Sequence, residues 1–495
     1  MTETSSKPTS RGSFRSQWAL TSRTAPADVQ RFHDSIAPWT NATTVDEFAS
    51  SLTIDSPAAP EAPPPVKASF LADIARSFHQ QAGTYTRSVQ EQIEEYNLGR
   101  KRTLRVAHQP NFLPSVNVVG QAAVSSALAE RLPQKPAQVF LVIDYDVNTD
   151  RRYRHALLPS MSSHRGYHSI SVPLADSHKD TFIFSERKPD DDDICQLLDL
   201  LHTYTSSEHA IIRQLCGYSA LTRYERNKRE DSIRDHVVTS FRRGATLAEA
   251  NAIFLSRFVN LDLGLPTIFI PGSLALEGLV DHISYLWSLG GPLYDACHQV
   301  ASELEDMGVT VSPSLVPDED VAPFWTSCSR DAARIRMYWT DRYRTKAKGS
   351  CNRCKADVVV TPKSLGDFLG KPSRAALIPR VLWDDLLDSF AWRHVAGCSY
   401  RGGLEHYLFT ARLAGLMGLA PLPEFLSEYK AQGPFTDYEH AARVFAKEQA
   451  SAPTEVGARK AWKVARSGQV SIAYSMMWAP HTVASLKHSF FRDDR

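Results

Sequence analysis

Two periods of apolar residues run along this chain. Between Thr103 and Gln121 (TLRVAHQPNFLPSVNVVGQ) a short apolar run, Leu104, Val106 and Ala107, stops at His-Gln-Pro-Asn. A loop bounded by Pro110 and Pro114 follows. A helical segment, Val116 to Arg131, then leads through LPQKPAQ to a second apolar run, Val139 to Ile143, which stops at Asp144-Tyr-Asp146. Strand, loop, helix and strand in this order predict a βαβ unit, because parallel strands need a crossover of this length. The spacing also predicts helices over 67–99, from Phe70, Ile74 and Phe78 and then Val89, Ile93 and Tyr96, with Gly83 between them. Further helices are expected over the DDDDICQLLDLLHTY stretch, whose acidic start suits a helix N-terminus. More are expected over 230–262, where Thr246 and Glu249 have capping-box spacing, and over 275–287 and 292–306. HSISVPL alternates as a strand, LPTIFIPGS holds a buried strand from Thr267 to Ile270, and VTVSPSLVP reads as a short edge strand. Cys195 and Cys216, on helical patterns, read as small core residues.

The pattern fails at the ends of the chain. Residues 1–65 are rich in Ser, Thr, Pro and Ala and bury too little apolar surface to offset ordering. They read as mostly a disordered tail in which WTNATTVDEF docks locally. The parse is then a tail (1–65), a Rossmann-like α/β core with leading helices (66–318), an inserted finger (319–372), completion of the core (373–425) and a helical extension (426–495). The fold class is α/β, a parallel sheet flanked by helices.

Composition narrows the function classes. The chain has 495 residues, 43% hydrophobic and 22% charged, with a net charge of +1. These are globular values, and the whole-chain charge gives no field for nucleic acid or an anionic membrane. No apolar run approaches the ~18 residues of a membrane helix, and the N-terminus lacks a signal-peptide pattern, so cytoplasm is the expected location. Seven cysteines in so long a chain do not form a disulfide framework.

Ligands in open α/β sheets sit beyond the carboxyl ends of the strands. His108, Asp144 and Asp146 are therefore the candidate catalytic groups, with Gln109 and Asn111 as binding groups. Arg151, Arg152, Arg154 and His155, just past the second strand, form a basic cluster that is either a solvated loop or a clamp for phosphate or carboxylate, with Arg151 and Arg152 as the binding candidates. A late segment, Arg401-Gly-Gly-Leu-Glu-His406, opens a helix. Gly402 and Gly403 would let backbone approach a ligand, and Arg401, Glu405 and His406 join the binding set. In the finger, Cys351 and Cys354 lie on a Cys-x-x-Cys turn between two alternating segments, with Cys328 ahead of them. Three thiolates suit Zn²⁺. The fourth ligand stays open between Asp331, His394, and substrate or water; a metal-free reduced pair is the alternative. No Gly-x-Ser-x-Gly elbow and no P-loop occur in the sequence.

Four segments, HQPNFLPSVNVVGQAAVSSALAERL, VFLVIDYDVNTD, FLSRFVNLDLGLPTIFIPGS and IPRVLWDDLLDSFAWRHVAGCSYRGGLEHYLF, follow one another in an order that resembles the cysteine-adding enzymes of bacillithiol biosynthesis. The resemblance spans roughly residues 67 to 425. It implies a nucleotidyltransferase-like Rossmann core and an ATP-dependent ligation of an amino acid, with cysteine as one option, to a small-molecule amine. Zinc would then be structural or would hold a substrate thiolate, and a homodimer is an open option. The family's acidic-His-Asp cluster is Asp-Tyr-Asp here, and a Cys-x-x-Cys finger stands where the family has a coiled-coil arm. A narrower resemblance links HQPNFLP to a family of O-antigen and polysaccharide clusters, implying a sugar- or acyl-transferase or a hydrolase. A non-catalytic zinc-finger interaction protein is the third option.

Overall fold

The structure, a computed structural model, describes residues 27–52, 62–149, 151–173, 180–216, 222–330, 332–369, 377–400, 403–427 and 453–478. Helices α1 (Ala27–Asn41), α2 (Val45–Ser51), α3 (Ala68–Ala82) and α4 (Arg87–Asn97) lead into β1 (Thr103–His108), α5 (Val116–Arg131) and β2 (Ala137–Val142). A hairpin of β3 (His155–Pro159) and β4 (Tyr167–Ser171) follows, then α6 (Asp191–Cys216), α7 (Arg223–Arg243), α8 (Leu247–Arg257), β5 (Ile268–Pro271) and α9 (Val280–Asp306). Next come β6 (Val321–Ser327), β7 (Arg334–Trp339), β8 (Ala347–Ser350), β9 (Asp357–Val360) and β10 (Leu377–Pro379). The chain continues with α10 (Val381–Phe390), β11 (His394–Tyr400), α11 (Leu404–Leu416), β12 (Glu424–Ser427), α12 (Pro453–Ala465) and α13 (Ile472–Trp478).

The centre is a sheet of five parallel strands in the order β12-β11-β1-β2-β5. Its residues alternate between two apolar layers. Leu104, Val106, Phe140, Val142 and Phe269 pack against α5 and α8, while Val139, Leu141, Ile268 and Ile270 pack with α4 and α9. Burial on both faces is what a parallel sheet requires. The winding reverses at β1: β2 and β5 lie to one side, and β11 and β12 to the other. The crevice at such a reversal, beyond the carboxyl ends of the strands, is where open α/β sheets receive ligands. No helix among the described residues is long and apolar enough to cross a membrane.

A second, antiparallel sheet has the order β10-β6-β7-β8-β9, with the Cys-x-x-Cys turn joining β8 to β9. It is larger than the expected hairpin. Because β10 pairs with β6, this unit reaches residue 379 rather than 372. Aromatic packing joins it to the core. Phe324 of β6 stacks on Trp383 of α10 at 5.4 Å, and Trp287 of α9 meets both Phe324 (5.3 Å) and Trp339 (5.1 Å).

Three expectations need correction. The docking expected of WTNATTVDEF is present, with Phe48 completely buried and Thr44 and Glu47 forming the capping box that starts α2, but the packed segment is longer than expected: it covers residues 27–52 and buries Ile36 completely. VTVSPSLVP is not a strand. Pro313 and Pro317 lack amide donors, and the Ser312 amide donates to the Glu405 carboxylate instead (2.5 Å). The two helices expected over 275–287 and 292–306 are present, separated within α9 by the non-helical Gly290, whose φ is +41°. Cys195 is exposed rather than in the core.

Candidate functional site

The first group of side chains lies where β1, β2 and β5 end. His108 is the last residue of β1, and its Nδ1 is 2.9 Å from the Gln109 carbonyl. That contact assigns the proton to Nδ1 and leaves Nε2 as the basic nitrogen. The Gln109 amide donates to the Asp146 carboxylate, which also accepts the Val147 amide (2.7 Å). Asp144 is buried. It accepts both the amide (2.7 Å) and the hydroxyl (2.6 Å) of Ser273, in the turn after β5. Burial raises its pKa to about 6, although the Ser273 hydrogen bonds pull the other way. Asp144, a catalytic candidate, thus links two strand ends. Asn111 is buried, and its Oδ1 has no partner among the described residues. Arg151 and Arg152 are exposed on a short 3-10 turn, where the Arg152 carbonyl accepts the Phe112 amide. The loop after β1 and the arginine turn are thus neighbours, and Asn251 ties them by donating to the carbonyls of Pro110 and Tyr153.

A second group lies beside the first, across the reversal point. Tyr145 donates to Asp384 of α10 (2.6 Å). Loss of hydration raises the Asp384 pKa to about 7, against the Tyr145 hydrogen bond, with Asp385 and Asp146 adding to the rise. Arg105, in the middle of β1 and 10% exposed, donates to Asp388 of α10 and to Glu424 of β12 (3.0 Å). Glu424 also accepts the Ser399 hydroxyl (2.7 Å). It fits because Gly397 is beside it: a Cβ there would stand 3.0 Å from Glu424 Oε1. His406 of α11 pairs with Asp385. Burial lowers the His406 pKa, but the Asp385 carboxylate outweighs it and the value rises to about 9. These groups surround a cavity of about 150 Å³, lined by Arg105, Asp385, Asp388, Ser399, His406 and Glu424, with Gly403 at its edge. The arrangement sets an arginine and an imidazolium among three carboxylates. Arg105 Nε is buried with no protein partner among the described residues.

The third group is in the finger. The sulfurs of Cys328, Cys351 and Cys354 lie within 4.8 Å of one another, and those of Cys328 and Cys354 are 3.4 Å apart. Tetrahedral Zn–S bonds of ~2.3 Å set sulfurs about 3.8 Å apart, so the three can hold a metal ion and are compatible with zinc. Two turns of the same shape present them. The Cys351 amide donates to the Ala356 carbonyl and its carbonyl accepts the Lys355 amide; the Cys328 amide and carbonyl do the same with Ala333 and Ala332. Lys355 and Ala332 both take positive φ, +60° and +52°. Asp331 lies outside the described residues. His394 is not part of this group: it begins β11 and pairs with the Thr103 hydroxyl (2.7 Å).

The structure brings His108, Gln109, Asn111, Asp144, Asp146 and the arginine turn together, and places His406 in the cavity. Arg401 and Gly402 lie outside the described residues. Glu405, expected to bind substrate, accepts the Ser312 amide. Sequence reasoning missed Arg105, Asp384, Asp385, Asp388, Ser399 and Glu424. A usable signal was present: an arginine inside an apolar strand, and acids at 384, 385 and 388 on one helix. No family model matches the chain, and a search of curated proteins finds no match.

Proposed function

We propose that the chain is an enzyme with a Rossmann-like core that binds an amino acid in the cavity between β1, β11 and β12 and ligates it to a small-molecule amine. The observation that carries this reading is the charge pattern of the cavity. Carboxylates of Asp385, Asp388 and Glu424 suit an ammonium group, and the Arg105 Nε and His406 imidazolium suit a carboxylate. Arg105 is already paired with Asp388 and Glu424, and His406 with Asp385, so three carboxylates face two cations and the surplus acid favours an ammonium group over a neutral sugar or acyl chain.

Amide formation from a free carboxylate needs activation. The resemblance of sequence order supplies ATP as the activator. The carboxylate oxygen attacks the α-phosphorus, pyrophosphate leaves, the acceptor amine attacks the acyl carbon, and AMP departs as the amine loses a proton. In this reading His108 Nε2 takes that proton, and Asp146, held by Gln109, orients the amine. Arg151 and Arg152 meet phosphate oxygens from the solvent side. Asp144 keeps the ends of β2 and β5 in register. Zinc in the finger is structural: its three thiolates come from two backbone turns of the finger sheet, not from the carboxyl ends of the parallel strands.

The test is ATP–pyrophosphate exchange screened across amino acids, with calorimetry for binding. One amino acid should support exchange, and Asp388→Asn should weaken its binding by about tenfold or more, as expected for losing a charge-assisted contact. His108→Ala should abolish amide formation with little change in melting temperature. If no amino acid binds and exchange is silent, the amino-acid reading fails and a sugar- or acyl-transferase takes its place.

A further inference from the structure

The near-neutral charge of the whole chain conceals a strong local bias. Residues 330–355 hold nine Arg or Lys and two Asp, a local charge of +7 in a chain of net +1. Strand alternation sorts them by face. In β7, Ile335 and Met337 are buried while Arg336 and Tyr338 are exposed; in β8, Ala347 and Gly349 are buried while Lys348 and Ser350 are exposed. The register then sets rings beside cations across the strands. Trp325 lies opposite Arg336, and Tyr338 lies opposite Lys348. The Arg334 and Arg380 guanidinium groups lie 4.3 and 4.9 Å from the Trp325 ring centre. A groove of about 550 Å³ runs along this face, lined by Arg336, Tyr338, Trp339, Lys348, Ser350 and Asn352.

The loop from β7 to β8 extends the surface. Asp341 accepts the amides of Tyr343 and Thr345 and the Thr345 hydroxyl, which fixes a turn that presents Arg342 and Tyr343. Tyr343 is 71% exposed. An aromatic ring held in water by a structured turn, beside cations, has stacking surface to offer. Three of the cations already have acidic neighbours: Arg334 with Asp180 (3.0 Å), Arg336 with Asp318 (3.5 Å) and Lys348 with Asp357 (2.8 Å). Such exposed pairs are weak and exchange readily for a phosphate oxygen.

We propose that the outer face of the finger sheet binds single-stranded nucleic acid, with phosphates on Arg336, Lys348 and Arg342 and bases stacked on Tyr338 and Tyr343. Cations alone would serve an acidic protein equally well. Exposed rings alternating with cations at cross-strand spacing are the chemistry of base stacking along a charged backbone. A duplex hides its base faces, so the single strand is the fitting partner. The surface is separate from the amino-acid cavity, and its test does not depend on that reading.

The experiment is fluorescence anisotropy of the full chain with labelled twelve-nucleotide uridine and thymidine oligomers over a salt series. Binding should weaken with salt at a log–log slope of about −2 to −4, as three to five neutralised phosphates require at ~0.7 each. Tyr338→Ala and Tyr343→Ala should each cost about tenfold in affinity. Arg336→Gln with Lys348→Gln should flatten the slope by about one to two. Arg87→Gln, on α4, should change neither, and circular dichroism checks that each exposed-site variant is folded. A clear preference for uridine or thymidine oligomers assigns RNA or DNA, and either supports the proposal. It is overturned if neither oligomer binds at tens of micromolar, if duplex DNA binds as tightly as single strands, or if polyglutamate displaces the oligomer while Tyr338→Ala changes nothing. The last outcome assigns the face to an acidic protein.

Discussion

His79 shows how one side chain serves the sheet and sets a pH limit. β5 is an edge strand, and an edge leaves amides without strand partners. His79 Nε2 accepts one of them, the Phe269 amide (2.9 Å), so its proton is on Nδ1 and is donated to the Thr84 hydroxyl (2.7 Å). Burial lowers its pKa to about 3. A histidine whose folded pKa lies below its unfolded ~6.5 stabilises the fold above pH 6.5 and loses that contribution as the pH falls toward 3. The melting temperature should therefore fall as pH drops from 6.5 to 4. His79→Gln should flatten that slope while costing about 1–3 kcal/mol at pH 7; an unchanged slope would show that other groups control the acid limb. Asp144 and Asp384 act in the opposite direction, their raised pKa values withdrawing stability as pH rises through about 6 and 7. Arg105 marks the limit of sequence reading at this scale. Turn residues advertise a strand end, so His108 and Asp146 were legible. A charge in mid-strand names its partners only once β11, β12 and α10 are in place: Asp388 lies 283 residues later and Glu424 319 residues later.

At the scale of elements, the βαβ opening was legible because two apolar runs and a 3.6-residue period leave little choice. Its support was not. Helix α5 starts with amides that no residue within the helix can satisfy. The segment between α12 and α13 supplies the partners: the Val116 and Asn117 amides donate to the carbonyls of Val470 and Gly468 (both 2.9 Å). The Pro114 carbonyl accepts the Ile472 amide (2.7 Å), and the Ser471 hydroxyl donates to Leu113 (2.8 Å). The segment around residues 468–472 thus clasps the loop that follows His108 and carries Asn111. The contact is tight enough that a Cβ on Gly468 would lie 1.8 Å from Asn117 Oδ1, in a buried site. Gly468→Ala should lower stability by about 1–3 kcal/mol through overpacking, read from denaturant unfolding. An unaltered midpoint would mean the clasp is loose. Of residues 27–52 only the docking of WTNATTVDEF was legible, for a related reason. Their Ser, Thr and Pro content is that of a tail, and only packing of Ile36 on the core reveals the burial of the rest.

At the scale of the molecule, two units of different chemistry share one interior. The parallel sheet holds itself by apolar layers on both faces, while the finger sheet has one solvated face and the cysteine group at its end. Removing metal with a chelator, or replacing Cys354 with Ser, should speed hydrogen exchange in residues 321–360 and leave the amides of β1 and β2 protected. Uniform loss of protection would show instead that the units unfold as one. What joins them is the cluster of Trp287, Phe324, Trp339 and Trp383. Trp383 is 1% exposed and directly precedes Asp384, whereas Trp339 lines the groove of the finger face. These indoles are close enough to couple their excited states, with centroids 5.1 Å apart for Trp287 and Trp339 and 6.4 Å for Trp287 and Trp383. The protein therefore carries an optical probe between its two surfaces. Its near-ultraviolet dichroism and emission report what occupies the groove and how α10 is seated, without any added label.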